Sequence, residues 1–247
     1  MQVQVKTEKK MNTQQFTQLG IYERFLKRLL DFILSLCAIV TFLPLLLLVA
    51  LLVRIKIGSP VIFKQKRPGI NEKIFTMYKF RTMTDKRDDN GNLLPDDIRL
   101  TKFGKVLRAT SLDELPELFN ILRGDMSIVG PRPQLIRDMV FMSHEQRLRH
   151  SVLPGLTGLA QINGRNSTSW EDKLRYDLQY LMNITFLGDM RIIFMTIAKT
   201  LKREGITAKG METSEDFGDY LLRIDKIDKD TYDINIKESR RICDSVE

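Results

Sequence analysis

With 247 residues the chain is long enough to bury a sizeable core without staples, and its two cysteines, Cys37 in an apolar run and Cys243 near the C-terminus, exclude a disulfide framework and a cysteine-rich metal site. A formal net charge of +8 calls for an anionic partner, which is nucleic acid, a phospholipid surface or a phosphorylated small substrate. No helix-turn-helix, RNP or zinc pattern supports nucleic acid.

Residues 1–20 are polar and lack the apolar core of a signal peptide, so they read as a loose leader. From Phe32 to Val53 no residue carries a charge, and Leu, Ile, Val and Phe dominate. At about 1.5 Å per residue a helix of this length covers the ~30 Å hydrocarbon core of a bilayer. Two features argue against a simple span. Pro44, near the middle, removes a backbone donor and predicts a kink. Arg24, Lys27 and Arg28 precede the run and Arg54, Lys56, Lys64, Lys66 and Arg67 follow it, so the positive-inside rule assigns both ends to the cytoplasm. A re-entrant helix, bent at Pro44 and returning to the face it entered, satisfies both.

After Gly58-Ser59-Pro60, two alternating stretches flank the turn-rich R-P-G-I-N-E and predict a β-hairpin. On its second arm Lys73, Phe75, Met77, Lys79 and Arg81 share a face. Lys79 and Arg81 are then either a joint phosphate clamp or a solvated strand face. Residues 84–99 form a polar loop with the turn signal Asn90-Gly91, expected to be exposed.

The densest chemistry lies between Ser111 and Pro133, in S-L-D-E-L-P-E-L-F-N-I-L-R-G-D-M-S-I-V-G-P-R-P. Taking Asp113 as N-cap puts Pro116 in the first turn and lets the helix run to Gly124, a natural left-handed stop. Asp113 and Glu114 then stand at a helix N-terminus, where free N–H groups also favour phosphate. Simple capping is the plainer reading of this stretch alone. Arg108 precedes it, and Arg132 is held between two prolines that restrict its backbone before it grips an oxyanion.

Residues 138–150 read as a polar helix with His144 and His150 on the surface, too far apart to share a metal from one face. The glycine-rich P-G-L-T-G-L-A-Q-I-N-G-R-N that follows holds Gln161, Asn163, Arg165 and Asn166 and suits a polar ligand, but it is neither a Walker loop nor a Rossmann fingerprint. In the next helix Trp170, Leu174, Asp177 and Leu181 share one face; a carboxylate in that stripe needs a cation, for which Arg165 or Arg108 would serve. From Asp189, read as an N-cap, a basic amphipathic helix is placed to lie against lipid or to pack on the membrane hairpin. The tail from Gly210 carries mixed charge and few large apolar residues after Leu222, and reads as weakly ordered.

The apolar helix, Y-K-F-R-T-M, S-L-D-E-L-P, G-D-M-S-I-V-G-P-R-P, P-G-L-T-G-L-A-Q-I-N-G-R-N and Y-D occur in that order, and over residues 21–217 the chain closely resembles the bacterial monotopic phosphoglycosyl transferases, the small sugar transferases that initiate glycoconjugate synthesis, including the Campylobacter-type enzymes. The resemblance implies transfer of a phospho-sugar from a UDP-sugar, an N-acetylated amino-sugar by this likeness, to undecaprenyl (polyprenyl) phosphate. UMP would leave, Mg²⁺ would assist, and a covalent aspartyl intermediate would form. On matched positions Asp113 is the nucleophile, Glu114 a metal or proton partner beside it, and Lys79, Arg108, Arg132, Arg165 and Asp177 line the site, with Asp113 and Glu114 as the metal ligands. A carboxylate attacks an anionic phosphorus only when cations neutralise the repulsion, so this residue set is chemically coherent. Leu43 precedes Pro44 where many members of that family carry Ser.

The expectation is therefore an α+β, mainly helical, monotopic membrane protein with a Pro-kinked re-entrant N-terminal helix, a small β-hairpin and amphipathic interfacial helices, on the cytoplasmic face of the bacterial inner membrane. Its organisation is a leader at 1–20, the membrane helix at 21–57, a catalytic domain at 58–217 and a charged tail at 218–247. The competing reading is a non-catalytic, basic adaptor of anionic lipid or protein at the membrane surface.

Overall fold

A computed structural model describes residues 20–164, 168–201 and 215–245. The leader lies outside the described residues apart from Gly20, as do Arg165 and Asn166. A π-helical turn, Tyr22–Leu26, opens into the long helix α1, Lys27–Lys56. The helix continues through Pro44, and α1 is the described helix long and apolar enough to cross a membrane. Much of it is bare: Phe32, Leu36, Val40, Leu43, Leu47 and Leu51 are exposed apolar side chains. The opposite stripe is covered. Leu46, Val49 and Val53 pack with Phe80 and Leu107, while Ala38 and Ile39 lie against Met77, Leu118 and Ile121.

The hairpin is as expected, with β1 (Ile62–Pro68) antiparallel to β2 (Ile74–Phe80). The polar loop that follows carries a short α2 (Asp96–Arg99) and is mostly exposed. Next come α3 (Lys102–Ala109), capped by the Thr101 hydroxyl, and α4 (Glu117–Arg123). Gly124 ends α4 at φ 95°, a left-handed stop that an L side chain would strain. A parallel pair, β3 (Ser127–Val129) and β4 (Gly155–Thr157), brackets α5 (Ile136–Met139) and α6 (His144–Arg147). Here Gly130 and Gly155 approach so closely that a Cβ on either would strike the other's strand backbone. Then follow α7 (Leu159–Ile162), α8 (Trp170–Leu181), α9 (Phe186–Leu201), α10 (Phe217–Arg223) and α11 (Lys229–Asp244).

Several expectations need correcting. Asp189 is not an N-cap: Thr185 takes that place, its hydroxyl accepting from Gly188, and Asp189 is buried one turn into α9. It receives Lys27 at 2.5 Å, Tyr22 at 2.8 Å and Tyr180 at 2.9 Å, tying the start of α1 to α9. His150 is buried rather than superficial, in a 3-10 turn over Leu148–Ser151, and burial beside Arg149 pushes its pKa down to about 3. The tail read as weakly ordered folds into α10 and α11, because Phe217 and Leu221 join Phe141 and Trp170 in one apolar cluster with Tyr232 and Ile236 packed on its edge. Its charges mask an apolar stripe at helical spacing.

Candidate active site

Asp113 sits in a single 3-10 turn, Leu112–Glu114, and Pro116 takes the N-cap position of α4, so capping by Asp113 is not what the fold uses. Ser111, at φ 55°, makes the sharp entry that turns α3 into this corner. The corner is locked to the hairpin from α4: the Asn120 side chain accepts from Tyr78 N at 3.1 Å and donates to Thr76 O at 2.7 Å, replacing ladder bonds on the free edge of β2. That registers the acidic corner against Lys79.

Lys79 Nζ lies 2.7 Å from Glu114 Oε1 and 3.1 Å from Glu117 Oε1, and Arg132 Nη2 bonds the same Glu114 oxygen at 2.5 Å. Burial alone would raise the Glu114 pKa, but Arg132 and Lys79 hold this carboxyl well below the usual range. Burial would lower Lys79, and the two glutamates more than reverse it. Arg132 is held above the ordinary guanidinium value, chiefly by Glu114. Asp113 differs from its neighbour. Burial, with Glu114 adding to it, lifts its pKa to about 6, with Lys79, Arg108 and Arg132 opposing. Among the described residues no side chain donates a hydrogen bond to its carboxyl.

Two arginines fix the Pro-Arg-Pro segment from behind. Arg67 Nη1 donates to Pro133 O at 3.2 Å and Arg149 Nη2 to Arg132 O at 2.6 Å. Arg149 in turn bonds Asp177 Oδ2 through Nε at 2.9 Å and Nη2 at 2.7 Å, both side chains sealed from solvent. Asp177 is therefore paired with Arg149 and not with Arg108, whose Nε goes to Thr82 Oγ1 at 3.2 Å.

One cavity of about 1480 Å³ takes in Lys79, Arg108, Asp113, Glu114, Glu117, Arg132 and Asp177, so the expected site residues within the described chain converge. Arg81 also borders it, but β2 ends at Phe80, and Arg81 turns instead to the carbonyls of Ser59 and Met83 and to Asp85. The joint Lys79–Arg81 clamp does not form.

Sequence reasoning missed Glu117, Asn120 and Arg149. Glu117 is fully buried, and its pKa is pushed up to about 7 by burial, with Lys79 opposing and Glu114 reinforcing. Its position three residues after Glu114 was the available signal. Asn120 and Arg149 had none.

A divalent ion fits this corner only with help. Asp113 and the Glu114 oxygen outside the two cation bonds are the hard donors Mg²⁺ takes. Among the described residues no group of three or more His, Cys, Asp or Glu side chains is placed to hold an ion, so water or phosphate oxygens would have to complete any shell.

A carboxylate corner ringed by fixed cations thus lies in a chain with one long apolar helix, and the chain belongs to the bacterial sugar transferase family, whose model matches residues 22–203. Among its relatives is an uncharacterized sugar transferase of Bacillus subtilis, EpsL, 50% identical over 78% of this chain and 95% of that protein. A UDP-glucose:undecaprenyl-phosphate glucose-1-phosphate transferase of Klebsiella pneumoniae is 43% identical over 70% of this chain, and the match spans 39% of its length. A UDP-N-acetylgalactosamine-undecaprenyl-phosphate N-acetylgalactosaminephosphotransferase of Aeromonas hydrophila is 36% identical, with 44% of its length matched.

Proposed function

We propose that the protein transfers a phospho-sugar from a UDP-sugar to undecaprenyl phosphate and releases UMP, as an initiating step of glycoconjugate synthesis. The observation that carries this is the contrast within the acidic pair: Glu114 is neutralised by two bonded cations, while Asp113 lies among the same cations with no side-chain hydrogen bond to its carboxyl among the described residues. An oxygen of Asp113 attacks the sugar-linked phosphorus, forming an O–P bond as the bond from that phosphorus to the bridging oxygen breaks and UMP departs. An oxygen of undecaprenyl phosphate then attacks the same phosphorus and returns the electron pair to Asp113. Lys79, Arg108 and Arg132 offset the repulsion between carboxylate and phosphate in both halves. Mg²⁺, held by Asp113 or Glu114 with phosphate oxygens, would add Lewis-acid charge at the phosphoryl group.

The membrane reading supports the same site. Asp31 Oδ1 accepts from Ile128 N at 3.0 Å near one end of α1, and Val53 packs against Phe80 and Leu107 near the other. Both ends of α1 rest on the same body, which supports a re-entrant helix and a site on the cytoplasmic face at headgroup level. For the donor sugar, the Campylobacter-type resemblance and the Aeromonas relative favour an N-acetylated amino-sugar. The Klebsiella relative favours glucose. UMP release is the test, over a panel of UDP-sugars with undecaprenyl phosphate and Mg²⁺. Wild type turns over one class of donor and Asp113→Asn none; release that survives the substitution removes Asp113 as nucleophile, and no metal-dependent release by wild type favours the adaptor.

A further inference from the structure

Residues of α7 and α8 line the same cavity as Arg132, and among the described residues some polar groups on that wall have nothing to bond. Both amide atoms of Gln161, Nε2 and Oε1, are buried without a partner among the described residues. So is Asp177 Oδ1, the oxygen facing away from Arg149. Lys173, one turn before Asp177, forms no ion pair among the described residues; its ammonium lies 5.1 Å from the centroid of the Trp170 ring. Gln161, Trp170, Lys173 and Asp177 all line the cavity that contains Asp113. A buried amide left with a donor and an acceptor unused costs stability, so a ligand is its natural complement.

We propose that this wall is the nucleobase subsite, in which the Gln161 amide pairs with the imide edge of uracil; the proposal rests on a UDP-sugar being the donor. The match is geometric. In uracil N3–H and a carbonyl lie side by side, so one primary amide meets both, Oε1 accepting from N3–H and Nε2 donating to the carbonyl. A 2-acetamido group is a trans amide whose N–H and C=O point in opposite directions, and a single glutamine cannot engage the pair. Lys173 is a cation for the α-phosphate on the way to Arg132.

Trp170 is the sole tryptophan of the chain and borders this wall, so its fluorescence reports occupancy here. The experiment titrates UMP and N3-methyl-UMP into the full-length protein in lipid nanodiscs, with calorimetry in parallel. A primary amide can flip to meet cytosine, so N3-methylation is the sharper probe. Wild type should bind UMP at least about tenfold more tightly than N3-methyl-UMP. Gln161→Met, near in size and without the orphaned amide, should weaken UMP to the N3-methyl-UMP level and bind the two alike. Its melting temperature checks that it folds. A Gln161→Met protein that keeps the wild-type preference, or a wild type indifferent to the methyl group, overturns the assignment of Gln161 while leaving the transfer reaction standing. Absence of any UMP binding to wild type overturns both.

Discussion

Two arginine–carboxylate pairs sit close together and do opposite work. Arg132–Glu114 faces the cavity, with side chains 39% and 19% exposed, whereas Arg149–Asp177 is sealed at 1% and 3%. The open pair can exchange partners with an incoming phosphate, because solvent and Lys79 are at hand to compensate either charge. The sealed pair has no such alternative, and its arginine also donates to the Arg132 carbonyl. In the proposed reaction one cluster would handle the charge, while the other keeps the backbone of that cluster where it is.

Breaking the sealed pair should cost most. Arg149→Met strands the buried Asp177 carboxylate and is expected to destabilise the fold by about 3–5 kcal/mol, read from denaturation of the purified protein. The double change Arg149→Met with Asp177→Leu should recover much of that stability but not turnover, since Arg132 stays unbraced; recovery of both would make the pair purely structural. Removing the open arginine acts on rate instead. Arg132→Ala should lower kcat/KM for UMP release about a hundredfold while shifting stability far less. A loss of stability equal to that of Arg149→Met would erase the distinction between the clusters.

A third prediction concerns Asp113 and pH. Its folded pKa, about 6, stands above the model-compound value of 3.8. Ionising it in the fold is therefore unfavourable: the cost is absent below pH 3.8, grows through the interval and is complete above about 6. Asp113→Asn should then stabilise the protein by about 1–3 kcal/mol at pH 7.5, with the gain vanishing as pH falls toward 4. In wild type, kcat/KM should drop as pH falls below about 6, when the nucleophile takes up its proton. A gain that grew at low pH would reverse the sign of the argument. The smallest effect falls on the membrane helix. Arg28 donates to Ile121 O at 2.6 Å and Leu122 O at 2.9 Å, the carbonyl end of α4, and Arg28→Ala should cost about 1 kcal/mol.

Much of the candidate site, as residues lining one cavity, was legible because they sit in short rigid frames. Pro131 and Pro133 advertise Arg132, the strand alternation places Lys79, and Asp113-Glu114 stands out beside the helix stop at Gly124. What stayed hidden depends on contacts between distant segments. Glu117 looks like a solvated helix residue until Asn120 docks α4 on β2, and Arg149 is one arginine among many until Asp177 finds it. The C-terminal helices were masked by charge, their apolar stripe meaningful only against Phe141 and Trp170. Asp189 read as a cap because its partners, Tyr22 and Lys27, lie at the far end of the sequence.

The central claim is that Asp113 carries the phospho-sugar between donor and acceptor. Full-length protein incubated with the turned-over UDP-sugar and Mg²⁺, without undecaprenyl phosphate, should gain the mass of one phospho-sugar. The adduct should map to the peptide containing Asp113 and disappear when undecaprenyl phosphate is added. No adduct in a preparation that releases UMP, or an adduct that persists in Asp113→Asn, would contradict the account.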